Sequence, residues 1–311
     1  MQSMKRIVSL FIWISIVSAF PVEAEQLNLN PAWTVTNLGP SINTQHRERY
    51  SMISSDGLVL YFASDRPDAL GEPDDRGRRP WDLYVAWRES PGVPFGEAIN
   101  LGPEINSSYS EHSASISKNG HWMYFGSNRP GGCGGYDLYV SYRPDTTDHM
   151  GWQPPKHLGC ALNTPFNEAC PFITTDKQTG KDLLYFVRNT REGIRDYNIH
   201  LSEADRKTRV FGTAKIVAEL SSPEFDAHFD PEHGFIWSGR AGGYGGADIW
   251  LTSKRSQGSG WSKPKNMGSL INTEYDEELP SGTLDGMLFF PSNRLGGYGG
   301  FDIYIATPGN H

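Results

Sequence analysis

Five imperfect copies of one motif, an abundance of turn formers and aromatics, and an orphan half-copy at the start of the chain predict an all-β protein. The expected form is a single five-bladed β-propeller of four-stranded blades, closed by the N-terminal strand pairing with the last blade. The 311 residues include 34 Gly, 21 Pro, 9 Trp, 14 Tyr and 15 Phe, a composition suited to short strands joined by tight turns.

Each copy opens on a Leu-Gly step, passes Asn-Thr or Asn-Ser, and reaches an acid before its first strand. The clear openings are Leu38-Gly39 with Asn43 and Glu48, Leu101-Gly102 with Asn106 and Glu111, and Leu158-Gly159 with Asn163 and Glu168. Later copies are Val217-Ala218 with Ser221 and Asp226, and Met267-Gly268 with Asn272 and Glu277. Successive openings are 63, 57, 59 and 50 residues apart, about one blade each. An aromatic strand, a Gly-rich loop and a second aromatic strand follow, as in WMYFGSNRPGGCGGYDLYVS from Trp122 and MLFFPSNRLGGYGGFDIYIA from Met287. A short Pro-bearing segment then reads as the outermost strand, as at Trp152 to Lys156 and Trp261 to Lys265. The fifth copy lacks that segment, and the unassigned run Ala32 to Leu38 supplies it.

These repeats, S-N-R-P-G-G-x-G-G-x-D-[LI]-[YW] after an aromatic strand and N-[TS]-x-x-x-E before it, resemble the WD-like β-propeller repeats of the TolB-like superfamily. That resemblance implies a periplasmic partner-binding module, an appendage of cell-wall-associated proteins, or part of a hydrolase.

Residues 1–24 read as a signal peptide, with Lys5 and Arg6 before the apolar run Ile7 to Phe20 and Val22-Glu23-Ala24 at the cleavage site. A short segment, 25–30, precedes the propeller at 31–311. The apolar run is shorter than the roughly 20 residues that span a bilayer, so no transmembrane segment is expected after cleavage. A periplasmic or secreted monomer is expected. Its net charge of −8 argues against nucleic acid as a partner. Of Cys133, Cys160 and Cys170, at least one must stay unpaired, and a disulfide involving Cys170 is expected.

The acids Glu48, Glu111, Glu168, Asp226 and Glu277 are expected around the channel mouth. Because every copy has one, Glu48, Glu168 and Asp226 are assigned to structure, although such a ring could recruit a cation. Arg129 with Asp137, Arg240 with Asp248 and Arg294 with Asp302 are expected to clamp the Gly-rich loops shut. Departures from the repeat mark the site: Arg49 beside Glu48, His112 beside Glu111, and Glu278 beside Glu277. Glu111, His112, Glu277 and Glu278 are the catalytic candidates; Arg49, Trp81, Tyr136, Tyr244 and Tyr298 are the ligand-binding ones, rings and charges together suiting sugars. No metal site, cofactor or catalytic motif is expected. The leading expectation is a noncatalytic exported module engaging an envelope protein or glycan, and the alternative is a glycan-active hydrolase or lyase with carboxylates at the channel mouth.

Overall fold

A computed structural model describes residues 32–189, 197–204, 208–220, 229–230, 234–238, 243–254 and 260–309. The first strand, β1 (Trp33–Asn37), stands apart in sequence from its partners. A four-stranded sheet follows from β2 (Glu48–Ile53), β3 (Val59–Ser64), β4 (Asp82–Trp87) and β5 (Ile99–Asn100). The next takes β6 (Glu111–Ile116), β7 (Trp122–Ser127), β8 (Asp137–Tyr142) and β9 (Lys156–His157). Then come β10 (Asn167–Thr175), β11 (Asp182–Asn189), β12 (Tyr197–Ala204) and β13 (Lys215–Ile216). After them stand β14 (Phe229–Asp230), β15 (Phe235–Ser238), β16 (Asp248–Leu251) and β17 (Lys265–Asn266). The last sheet has β18 (Ser281–Gly282), β19 (Leu288–Ser292) and β20 (Asp302–Pro308), with β1 hydrogen-bonded along β20 from Trp33↔Pro308 to Asn37↔Tyr304. The chain is thus an all-β propeller of four-stranded antiparallel sheets.

Strands read as near-continuous apolar runs because both faces of each sheet are covered. Tyr61, Phe125 and Leu83 pack between the β2–β5 and β6–β9 sheets. Tyr124, Leu184 and Phe186 fill the next interface, and Tyr185, Val187 and Trp261 the one after. Ile249 meets Phe290 and Leu288, and Phe289 and Ile303 return to Leu60 and Phe62 of the first sheet.

The repeat signature is explained by polar closure between sheets. Asn43, Asn106, Asn163 and Asn272 are buried, and each side-chain oxygen accepts an amide from β20, β4, β8 or β16: Ile303 at 2.7 Å, and Leu83, Leu138 and Ile249 at 2.8 Å. Each side-chain NH2 donates back to the same residue's carbonyl. One buried amide therefore pairs like a piece of strand and leaves no backbone group unsatisfied.

The Gly-rich loops are docking surfaces for the following repeat. A Cβ on Gly134 would stand 2.1 Å from the Phe166 carbonyl oxygen, and one on Gly299 would stand 2.1 Å from that of His46. Their amides are already occupied: Cys133 donates to Asp137, Tyr244 to Asp248 and Tyr298 to Asp302.

The expected loop clamp takes a different partner. Arg129 and Arg294 pair with Glu111 at 3.1 Å and Glu277 at 3.0 Å, not with Asp137 and Asp302. Arg and Asp lie eight residues apart in sequence, but the Gly loop folds each Asp back onto its own amides and frees the Arg for the acid that opens the inner strand. Arg240 lies outside the described residues, while its expected partner Asp248 holds the Tyr244 amide and the Asn266 side chain.

The disulfide joins Cys133 to Cys160, and Cys170 is the free thiol. The expected bridge through Cys170 fails because that residue lies on β10, beside Ser113, away from the Gly loop. Replacing Cys133 and Cys160 by Ser is expected to cost about 3.5 kcal/mol from the closed loop of 27 residues' separation. Thermal melting with and without reductant checks this. Peptide mapping that links Cys170 to either other cysteine would refute the pairing.

Candidate functional site

The acids that open the inner strands are scaffold. Glu48, Glu111, Glu168 and Glu277 are each 0% exposed. Glu111 accepts the Ser107 amide at 2.7 Å, the Ser107 hydroxyl at 2.8 Å and the Ser127 hydroxyl at 2.6 Å, beside the Arg129 guanidinium. Glu277 is held the same way by Thr273, Ser292 and Arg294. Glu168 is held by Thr164 and by Arg188, an arginine in the copy that keeps a single Gly in this loop. Glu48 is held by Thr44, Ser64 and Arg66. Burial pushes the Glu48 and Glu111 carboxyls above the usual range, opposed by these donors and arginines. As catalytic candidates, Glu111 and Glu277 are thus carboxylates whose lone pairs are committed to the fold. Asp226 lies outside the described residues.

Immediately after each of these acids the chain leaves the ladder. The pairing slips between Arg49 and Met52, between His112 and Ser115, and between Ala169 and Phe172. Tyr50, Ser113, Cys170 and Leu279 have φ of 57°, 58°, 49° and 43°. Left-handed backbone at a residue with a Cβ costs on the order of 1–3 kcal/mol and re-aims the side chains around it. Here four inner segments from different sheets are brought side chain to side chain. Arg49 ion-pairs with Glu278, Tyr50 stacks on His112 with centroids 4.4 Å apart, and Ser113 Oγ lies 2.8 Å from His112 Nδ1 and 3.5 Å from Cys170 Sγ. A space of about 10 Å³ lies beside this belt, bordered by Tyr50, Ser113 and Leu279.

Above the belt the aromatics are placed by backbone bonds. Each scaffold acid donates its amide to the residue before the third strand of the neighbouring sheet: Glu111 to the Trp81 carbonyl, Glu168 to Tyr136, Glu48 to Phe301 and Glu277 to Ala247. Trp81, Tyr136 and Phe301 are therefore fixed around the mouth, half-buried. The Arg49 guanidinium lies 4.7 Å from the Phe301 ring, 5.2 Å from Tyr50 and 6.0 Å from Trp81. Arg47, tied to Asp65, covers Trp81 at 4.5 Å. His112 tilts on Tyr136 at 4.6 Å. Burial first, and the Arg49 charge second, push the His112 imidazolium down to about 3, so near neutral pH His112 is the neutral imidazole, with one ring nitrogen a donor and the other an acceptor.

The structure thus brings Arg49, His112, Glu278, Trp81 and Tyr136 together. It leaves Tyr244 and Tyr298 farther out on Gly loops, 55% and 51% exposed. Phe301 and Tyr50 complete the cluster; Phe301 was readable from its place before the β20 Asp, whereas nothing in the sequence marks Tyr50. Among the described residues, Glu278 is the mouth carboxylate that the repeat scaffold does not use. Cys133, Asp137 and His157 converge in the manner of metal ligands, but the Cys133 sulfur is bound in the disulfide.

No protein-family model matches the chain, and no curated protein matches it in sequence. Among solved structures it is similar to the α-L-arabinofuranosidase of Lactobacillus brevis, at 13% identity and TM-score 0.57, covering 88% of this chain and 92% of that one. It is also similar to the GH62 α-L-arabinofuranosidase catalytic domain of Coprinopsis cinerea, at 10% identity and TM-score 0.56, covering 90% and 98%. A third is the α-L-arabinofuranosidase of Podospora anserina, at 12% and 0.54, covering 91% and 99%. These likenesses define the class of fold, a β-propeller.

Two expectations are corrected. The TolB-like, WD-like assignment gives way, because the similar structures are glycoside hydrolase propellers and no family model supports the repeat-level resemblance. The same neighbours overturn the reading as a noncatalytic binding module.

Proposed function

We propose that this protein is a glycan-active hydrolase whose saccharide binds at the axial mouth. The carrying observation is the Arg49–Glu278 pair framed by Trp81, Tyr136 and Phe301: a carboxylate with its counter-ion, surrounded by rings whose faces suit the C–H surface of a sugar. Glycosidic cleavage runs on carboxylates, and Glu278 is the one proposed to act on the bond or its attacking water, with Arg49 positioning it. The arabinofuranosidase neighbours support the reaction class and make arabinofuranosides the first substrates to test.

The scaffold in this proposal is five blades, the last completed by β1. The five four-stranded sheets and the β1–β20 register support it. Export is proposed with it, supported by the Cys133–Cys160 disulfide, which persists in oxidising compartments.

The test is release of reducing sugar from a panel of arabinofuranosides and cell-wall glycans. Glu278→Gln is expected to lower kcat per folded molecule by about 10²–10⁴-fold, and, because it loosens the ion pair with Arg49, also to lower the melting temperature. Trp81→Ala is expected to raise KM more than it lowers kcat. No cleavage of any panel member, or full turnover by Glu278→Gln, would sink the assignment.

A further inference from the structure

A second space lies at the β2–β3 and β6–β7 hairpin ends of the inner strands, away from the mouth. A cavity of about 470 Å³ is bordered there by Met52 and Ile53 of β2, Ile116 of β6, Phe172 of β10, Asp230 of β14 and Ser281 of β18. That volume falls within the range of small-molecule sites, about 300–1,000 Å³.

Its charge differs from that of the whole chain. Among the described residues, Arg88, Lys118 and Arg143 line it with two acids, Asp56 and Asp230. Each acid accepts a backbone amide: Asp56 that of Leu58 at 3.0 Å, and Asp230 that of Gly282 on β18 at 3.2 Å. Neither guanidinium reaches a carboxylate at ion-pair distance among the described residues, though the charges of Asp285 and Asp145 act on Arg88 and Arg143 from farther off. Arg143 is 4% exposed, and its contacts are neutral: the Gly120 carbonyl at 2.8 Å, the Asp148 carbonyl at 3.2 Å, the Tyr61 hydroxyl at 3.3 Å and His149 Nδ1 at 3.5 Å. Arg88 donates to the Gly57 carbonyl at 2.7 Å, and its Nη2 is buried without any acceptor. Burying a cation away from a counter-charge is costly, so in an acidic protein this arrangement favours an arriving anion. The cavity also presents Trp87, 38% exposed and 4.9 Å from the His149 ring, beside Thr146 and Asn119.

We propose that this cavity is a second binding site, separate from the mouth, for an acidic sugar unit, with its carboxylate toward Arg143 and Lys118 and its ring on Trp87. Cations supply the charge recognition, and the indole face with the hydroxyl and amide groups supplies the sugar recognition.

Isothermal titration with D-glucuronate, D-glucose and acetate tests it on the whole protein. Saturable one-to-one binding of D-glucuronate is expected, weakening as salt is raised, with at least tenfold weaker binding of D-glucose and of acetate. Trp87→Ala and Lys118→Ala, both at exposed positions, are expected to weaken D-glucuronate at least tenfold with unchanged melting. Arg143→Lys is expected to do the same where it folds. Glu278→Gln, at the mouth, is expected to leave this binding intact, which separates the proposal from the hydrolase reading. Absence of saturable D-glucuronate binding, equal affinity for D-glucose or acetate, unchanged affinity in both Trp87→Ala and Lys118→Ala, or loss of binding in Glu278→Gln would each overturn it.

Discussion

Glu111→Ala is expected to lower the stability of the protein by about 3–5 kcal/mol, the cost of removing one partner of a buried ion pair. In a chain of this size that is a fall in Tm on the order of 10 °C. The substitution strands four donors at once: the Ser107 amide and hydroxyl, the Ser127 hydroxyl and Arg129. Glu111→Gln tests the same argument more gently. A carboxamide has one accepting oxygen, and its NH2 faces a donor on the other side, so about 1.5–3 kcal/mol should be lost. Because this acid belongs to the scaffold, the folded fraction of either variant should keep its turnover. Thermal melting together with specific activity per folded molecule decides the matter. A variant that melts like the parent and has lost its activity would move Glu111 from the scaffold to the chemistry.

The distinction between Glu111 and its neighbour His112 shows what the sequence makes legible. A residue type that recurs at one place in four of the five copies, such as Asn106 or Glu111, performs a task those repeats share, and the repeat reveals it directly. Residues that depart from the repeat, Arg49, His112 and Glu278, are legible as departures, and the structure gathers these three at one level of the axis. What stayed hidden depends on backbone turns that leave no composition signal. The left-handed residues that follow the inner-strand acids are Tyr50, Ser113, Cys170 and Leu279, none of them the glycine that ordinarily marks such a conformation. The bulges they make are what place Tyr50 against His112.

The arginine clamp was misread for a related reason. Eight residues of sequence separated each Arg from an Asp, while its true partner, as for Arg129 and Glu111, lay on the preceding strand and was reached only through β-pairing. Arg188 went unrecognised because its copy has lost all but one of the glycines in this loop, yet β11 delivers its guanidinium to Glu168 at 2.7 Å. Arg88 and Arg143 stand at the same place in two copies, D-L-Y-V-x-[WY]-R, after the ends of β4 and β8, and only the fold brings them to one space.

Deleting residues 32–38 is expected to have the largest effect of any change considered, a loss of at least about 5 kcal/mol. The segment contributes β1, without which β20 becomes an open edge from Tyr304 to Pro308. Trp33 and Val35 pack on the core that holds Ile249 and Phe290, and Leu38 packs on the one that holds Phe289 and Ile303. Asn37 then ties three parts of the chain together: its NH2 donates to Asp302 at 2.7 Å, and its oxygen accepts the Gly39 amide and the Asn43 side chain, each at 2.8 Å. Asn43 in turn pairs with Ile303, so the loss propagates into the buried amide that joins the first and last sheets. Asn37→Ala isolates the polar share and should cost about 1–3 kcal/mol. A synthetic peptide of residues 32–38 should restore part of the lost stability by adding back as a strand, visible as a concentration-dependent rise in Tm. If the deletion melts within a degree or so of the parent, β1 contributes nothing to holding the propeller together, and the pairing with β20 is not what completes its last blade.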